Sequence, residues 1–294
     1  MSVTSPGPAR GGENRLPTAG RLADNARMIA SPPQGPVGVP EAVTAFAAGR
    51  PVRAVWQNLL GGLTFEVGRG EGRQFVKWAP HGSGLDLAAE AVRLRWAGRW
   101  ATVPRVITHG TDDAGSWLAT HGLPGRSAVD AHWLRDPGTA VRAIGAGLRA
   151  LHDALPVADC PFDWSAGSRL AAVRERAAAG RIDPAGLHED LHHFGTAEQA
   201  LAALADPPDV DILVVCHGDA CAPNTLVGDD GTWTGHVDLG ALGVADRWAD
   251  LAVATWSTRW NYGPGWEDAL LDAYGAAPDA ERIAYYRLLW DLSD

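Results

Sequence analysis

The chain has 294 residues, of which 46% are hydrophobic, with three cysteines and a formal net charge of −10. That length supports a well-buried core in one or two domains, and no apolar run reaches the length of a membrane span. Cys160, Cys216 and Cys221 are too few, and odd in number, for a disulfide framework. With no secretory signal pattern at the start, the expected setting is a reducing cytoplasm, without a membrane partner.

Residues 1–40 are rich in Pro, Gly, Ala and Ser and show no hydrophobic period, which predicts a disordered tail. Residues 41–120 alternate short strand-like runs with turns: PVRAVWQNLL, LTFEVGRG, RQFVKWAP, then VPRVITHG and SWLATHG. Between them DLAAEAVRLRWAGRW places Leu87, Ala91, Leu94 and Gly98 at helical spacing. Residues 121–294 read as mainly helical, with TAVRAIGAGLRALHDAL and SRLAAVRERAAAG as strong helices and Thr196/Gln199 as a capping box. Two short strands interrupt them, DILVVCHGD and TWTGHVDLG. The expected class is α+β: a small β-rich lobe followed by a larger helical lobe.

Charge follows the same division. Residues 1–182 carry 21 Lys and Arg against 15 Asp and Glu, a net +6; residues 183–294 carry 4 against 20, a net −16. An acidic C-terminal region repels nucleic acid and attracts cations. No nucleic-acid partner and no obligate protein partner is expected.

Lys77 is the only lysine in a chain whose other Lys/Arg positions are all arginine. Lysine offers a compact charge on a flexible stem where arginine offers a flat fork, so chemistry that needs a point charge resists the exchange. Downstream, VVCHGDACAPNTLV delivers Asp219 to a loop and sets Asn224 after it with four residues between; HVDLG then places Asp238 beyond a hairpin. Phosphoryl transfer from ATP uses this set: one carboxylate accepts the proton of the attacking hydroxyl, while an amide oxygen and a second carboxylate hold magnesium. A strand lysine that pairs with a helix glutamate completes it, and Glu90 is the acid in the middle of the helix after Lys77.

VVCHGDACAPNTLV, HVDLGALGVADRWADLA and the terminal ERIAYYRLLWDL together resemble the aminoglycoside O-phosphotransferases, whose fold is the bilobal protein-kinase-like one. LDLAAEAVRLRWAG, SWLATHGLPG and LHDALPVADCPFDWS are also similar to segments of that family, and the likeness runs from about residue 52 to the end. The resemblance implies Asp219 as catalytic base, Asn224 and Asp238 as Mg2+ ligands, and Lys77 with Glu90 as the ATP-phosphate-orienting pair. It places Thr120 and Gly122 at the adenine-facing hinge, and Gly61, Gly62 and Thr64 at the phosphate-covering turn. His217 reads as a support for the catalytic loop, and Asp250 as a structural ion-pair or capping residue near Arg247.

After Asp238 the chain enters a helix almost at once, and Gly218 stands where protein kinases carry an arginine that reads an activating phosphate. A constitutive small-molecule kinase is therefore expected, with an aminoglycoside as substrate and antibiotic resistance as the outcome. Family members that act on the 3′-hydroxyl of kanamycin and neomycin typically end in Leu-Asp-Glu followed by aromatics, whereas this chain ends LLWDLSD. CPFDWS with YYRLLWDL looks closer to the streptomycin 3″-phosphotransferases. The first expectation is thus streptomycin at its 3″-hydroxyl, with Asp291, Glu189 and Asp190 holding the cation. The alternatives are 3′-phosphorylation of kanamycin or neomycin, another small-molecule kinase (macrolide or choline-like), and a non-catalytic binder on a kinase scaffold.

Overall fold

The computed structural model describes residues 30–33, 35–58 and 60–293. The N-terminal lobe is an antiparallel sheet in the order β1-β2-β3-β4-β6-β5. Its strands are β1 (Ala30–Ser31), β2 (Val52–Asn58), β3 (Leu63–Val67), β4 (Gln74–Pro80), β5 (Val106–Thr111) and β6 (Gly115–His121). Helix α1 (Glu41–Ala47) covers one face and α2 (Leu87–Ala97) is inserted between β4 and β5. β1 pairs Ala30 with Asn58 on β2, so Ala30–Ser31, inside the segment 1–40 expected to be a disordered tail, is drawn onto the sheet edge. Residues 1–29 and 34 of that expected tail lie outside the described residues.

Period-2 alternation explains the division of this sheet. Val76 on β4 packs with Phe65, Val67, Val43 and Ala47 under α1. Its neighbours Lys77 and Ala79 therefore share the opposite face, where Ala79 joins Leu87, Ala91 and Leu94 of α2. That second cluster continues into Leu151, Val215, Leu239 and Leu242 of the C-terminal lobe, so the lobes share apolar packing beside the site.

The C-terminal lobe contains β7 (Arg126–Ser127), α3 (Pro137–Ala154), α4 (Ala166–Ala178), α5 (Ala197–Ala203), β8 (Leu213–Cys216), β9 (Thr225–Val227), β10 (Trp233–His236), β11 (Gly243–Asp246), α6 (Trp248–Tyr262), α7 (Glu267–Tyr274) and α8 (Ala280–Ser293). Asp136 caps α3 through the Thr139 N–H, Pro137 opens it, and Val141, Ile144, Leu148 and Leu151 form its buried stripe. The Thr196 side chain accepts from the Gln199 N–H as the capping signature predicts, while the Gln199 side chain returns to Gly195 N–H instead of Thr196. Around Asp238 the order differs from a direct entry into a helix: β11 intervenes and pairs with β8 before α6 begins. No described helix is long and apolar enough to cross a membrane.

Candidate active site

β8 ends at Cys216 and hands the chain to His217-Gly218-Asp219. Buried Asp250, near the start of α6, holds this loop: its Oδ2 accepts the His217 N–H at 2.6 Å and its Oδ1 the Gly218 N–H at 2.9 Å. His152 of α3 stands between Asp250 Oδ2 and the Tyr274 hydroxyl, 2.9 Å from each. These donors hold Asp250 below the usual carboxylate range although burial opposes its charge. Asp250 is thus a structural anchor of this loop, its carboxylate paired with His152, while the Arg247 guanidinium bonds Asp211. The side chain of His217 supports the same loop, with Nε2 2.9 Å from Val237 O.

Gly218 is set by geometry. It has φ +88°, and a Cβ there would lie 2.2 Å from Ala241 O. Beyond Asp219, the buried Ala222 N–H donates to Ser257 Oγ on α6 at 2.9 Å, which closes the loop against that helix.

Asn224 Nδ2 donates to Asp219 O and Oδ2 at 3.0 and 2.9 Å. The β9–β10 hairpin then returns the chain, and the Val237 N–H donates to Asn224 O at 2.9 Å, placing Asp238 next to Asn224 in the fold. Asp238 adopts φ +65°, one of two positive values at non-glycine residues among those described. Such a conformation at a polar residue marks a site where the surroundings impose geometry. Burial, and then the charge of Asp238, push Asp219 above the ordinary aspartate range.

Lys77 Nζ lies 2.7 Å from Glu90 Oε1 and 2.6 Å from Asp238 Oδ1. Desolvation opposes the ammonium, but the two carboxylates outweigh it and raise Lys77 above its usual range. The structure therefore brings Lys77, Glu90 and Asp238 into one contact set, with Asp219 and Asn224 joined beside it. Asn224, with its Nδ2 committed to Asp219, and Asp238 offer hard oxygen donors, which fit a Mg2+ ion.

The expected nucleotide contacts are only partly of this kind. At the turn after β2, Gly61 N–H bonds Asn58 O at 3.2 Å and Gly62 N–H bonds Asn58 Oδ1 at 2.7 Å. Both amides expected to face phosphate are thus held by Asn58, whose side chain, together with Leu85, fills the space above Gly62. Thr64 is the cross-strand partner of Lys77. Thr120 lies buried within the sheet, paired with Phe75 and Val106. The Gly122 N–H, expected at the hinge, is taken by Arg73 O at 2.9 Å. Arg73 also donates from Nη2 to Leu123 O and Gly125 O at 2.6 and 3.1 Å, a clasp between lobe and hinge that no sequence motif announces.

The set places two carboxylates and an amide beside one ammonium, an arrangement that phosphoryl transfer can use. A family model described as the phosphotransferase enzyme family (APH) matches residues 58–286. The chain belongs to the aminoglycoside phosphotransferase family. It is 41% identical over 221 residues to an aminoglycoside 3′-phosphotransferase of Streptomyces fradiae, covering 72% of this chain and 81% of that one. It is 34% identical over 266 residues to a streptomycin 3″-kinase of Streptomyces griseus, covering 84% and 94%. Among solved structures, an aminoglycoside 3′-phosphotransferase of type VIII superposes with TM-score 0.71 at 34% identity, covering 86% and 98%. A Streptomyces rimosus aminoglycoside phosphotransferase in complex with ADP and streptomycin gives TM-score 0.61 at 30% identity, covering 79% and 90%. The kinase-like fold and the enzyme class expected from the sequence are thus found.

The expected substrate carboxylates gather at one turn beside an aromatic cluster in the C-terminal lobe. Asp291 Oδ2 accepts the His188 N–H at 2.9 Å. Asp190 Oδ2 accepts the Trp256 indole N–H at 2.8 Å, and Glu189 is exposed. The His188 ring packs on Trp256 and Trp260, with centroids 4.4 and 5.2 Å away. Trp248 and Trp256 are fully buried, as core residues.

Proposed function

We propose that this protein transfers the γ-phosphoryl group of ATP to the 3′-hydroxyl of a kanamycin- or neomycin-type aminoglycoside. The observation that carries the regiochemistry is the 41% identity to the Streptomyces fradiae 3′-phosphotransferase. It replaces the first expectation, streptomycin at 3″, which rested on the altered C-terminal residues. Streptomycin stays the second reading, supported by the longer match to the Streptomyces griseus 3″-kinase.

In this reading Asp219 accepts the proton of the attacking hydroxyl, and Asn224 keeps that carboxylate in place through Nδ2. Asn224 and Asp238 would hold Mg2+, which supplies charge neutralisation at the phosphates when bound. Lys77, fixed by Glu90, places one positive charge at the nucleotide. Asp250 and Ser257 keep the loop preorganised, so little rearrangement opposes the reaction.

An ADP-release assay with neomycin, kanamycin and streptomycin tests the assignment. Higher kcat/KM for neomycin or kanamycin is expected, with the product phosphorylated at 3′. Preference for streptomycin would restore the 3″ reading, and no stimulation by any of the three would refute the substrate class.

A further inference from the structure

Asp190 has two partners of different character. The Trp256 indole N–H is a close donor at 2.8 Å from a fully buried ring, so it fixes the carboxylate. Arg259, one helical turn further along α6, approaches the same Oδ2 with Nη1 at 3.4 Å. Its Nε lies 3.6 Å from Oε1 of Glu267, the first residue of α7. One guanidinium thus spans two carboxylates from separate elements, at distances longer than good hydrogen bonds, with its side chain 39% exposed. Contacts of this kind are Coulombic and screened by salt.

The surroundings are acidic. Glu189 lies beside Asp190 in sequence, Asp291 is joined to the same turn through the His188 N–H, and an open cavity of about 450 Å³ beside Glu267 is also lined by Asp268 and Arg287. Arg287 is committed elsewhere: Nε to Ala252 O and Nη2 to Thr255 Oγ1, both at 3.1 Å. His188 is held below its usual range, chiefly by burial, which disfavours its cationic form. Asp190 stays ionised: burial opposes its charge, but the indole N–H and Arg259 more than offset that.

From this arrangement we infer that Arg259 is a specificity-determining residue, an internal cation that occupies Asp190 and Glu267 until a cationic substrate displaces it. The inference rests on the reading of an aminoglycoside substrate. Because Trp256 holds Asp190 independently, removing Arg259 leaves that carboxylate in position without its ion-pair partner, with the more distant Arg287 as the remaining guanidinium acting on it. A ligand must bring enough positive charge to outcompete the guanidinium, so polycations are favoured over neutral or singly charged alcohols.

The test is titration calorimetry of neomycin, kanamycin, streptomycin and the polyamine spermine, without nucleotide and at low salt, on wild type, Arg259→Gln and Arg259→Lys. Arg259→Gln should lower Kd about three- to fivefold, the size of one exposed charge contact, and Arg259→Lys should stay near wild type. High salt should close the difference. Unchanged or weaker binding by Arg259→Gln at wild-type Tm overturns the inference. Failure of both Arg259→Gln and Arg259→Ser to fold would assign the residue to stability and overturn it as well. Drug-stimulated ADP release by wild type without tightening in Arg259→Gln sinks this inference alone. Tighter spermine binding in Arg259→Gln, with no aminoglycoside bound or turned over, sinks the substrate reading alone.

Discussion

The Lys77 ammonium stands 2.6 Å from Asp238 Oδ1 while remaining 2.7 Å from Glu90 Oε1, so a single nitrogen ties β4 to α2 and to the loop after β10. Two carboxylates converge on one atom, a task suited to a point charge and not to a fork. Lys77→Arg preserves the charge and spreads its donors over several nitrogens. It should lower kcat or raise the KM for ATP, with little change in Tm. Steady-state kinetics equal to wild type would detach the residue from nucleotide chemistry.

Asp219→Asn should leave the fold and nucleotide binding intact and lower kcat by roughly 10²–10⁴, the usual cost of losing a general base. The pH profile of the wild type follows from the same residue. Only the ionised carboxylate accepts a proton, and burial with the nearby Asp238 charge raises its pKa above the ordinary 3.8. On acidification kcat/KM should therefore begin to fall at a higher pH than a free aspartate would give. Turnover by Asp219→Asn within about threefold of wild type, far below a general-base loss, would remove Asp219 from that role.

Gly218→Ala places a methyl group where Ala241 O stands 2.2 Å away and forces an L residue to φ +88°. Strain of this kind costs roughly 1–3 kcal/mol, before the clash is counted. Thermal melts should show a clear drop in Tm, and the surviving folded protein should have reduced kcat, because the loop beside Asp219 has moved. A wild-type Tm and kcat would mean that the backbone at 218 adapts freely.

Buried His236 gives the protein an acid-sensitive element. Burial, then the neighbouring His217, lowers its pKa from 6.5 to about 3 in the folded state. The unfolded chain therefore binds a proton in the interval that the folded chain refuses, and stability falls as pH drops from 6.5 toward 3. Tm measured from pH 7.5 downward should decline through that window. His236→Gln, which cannot take up the proton, should show a shallower decline from its own neutral-pH value. An equal slope in both proteins would place the acid sensitivity elsewhere.

Much of the site was legible in the chain because its residues lie close together in sequence or on regular elements. Asp219, Asn224 and Asp238 fall within twenty residues, separated by one hairpin, and Lys77 stood out against a background of arginine. Strand alternation placed Lys77 on the face of Ala79, toward α2, and helical spacing put Glu90 within its reach. What holds these residues was decided by tertiary structure. Asp250 reaches the loop from 31 positions beyond Asp219, Ser257 closes it from two turns further along α6, and Arg73 clasps a hinge fifty residues away. Asn58 closed the Gly61–Gly62 turn whose amides the sequence left open to phosphate, and β2 drew Ala30–Ser31 onto the sheet edge. Local periodicity encodes which face a side chain takes, because that depends only on neighbours along one element. Which buried carboxylate meets which distant N–H depends on how whole elements pack, and no local pattern carries that information.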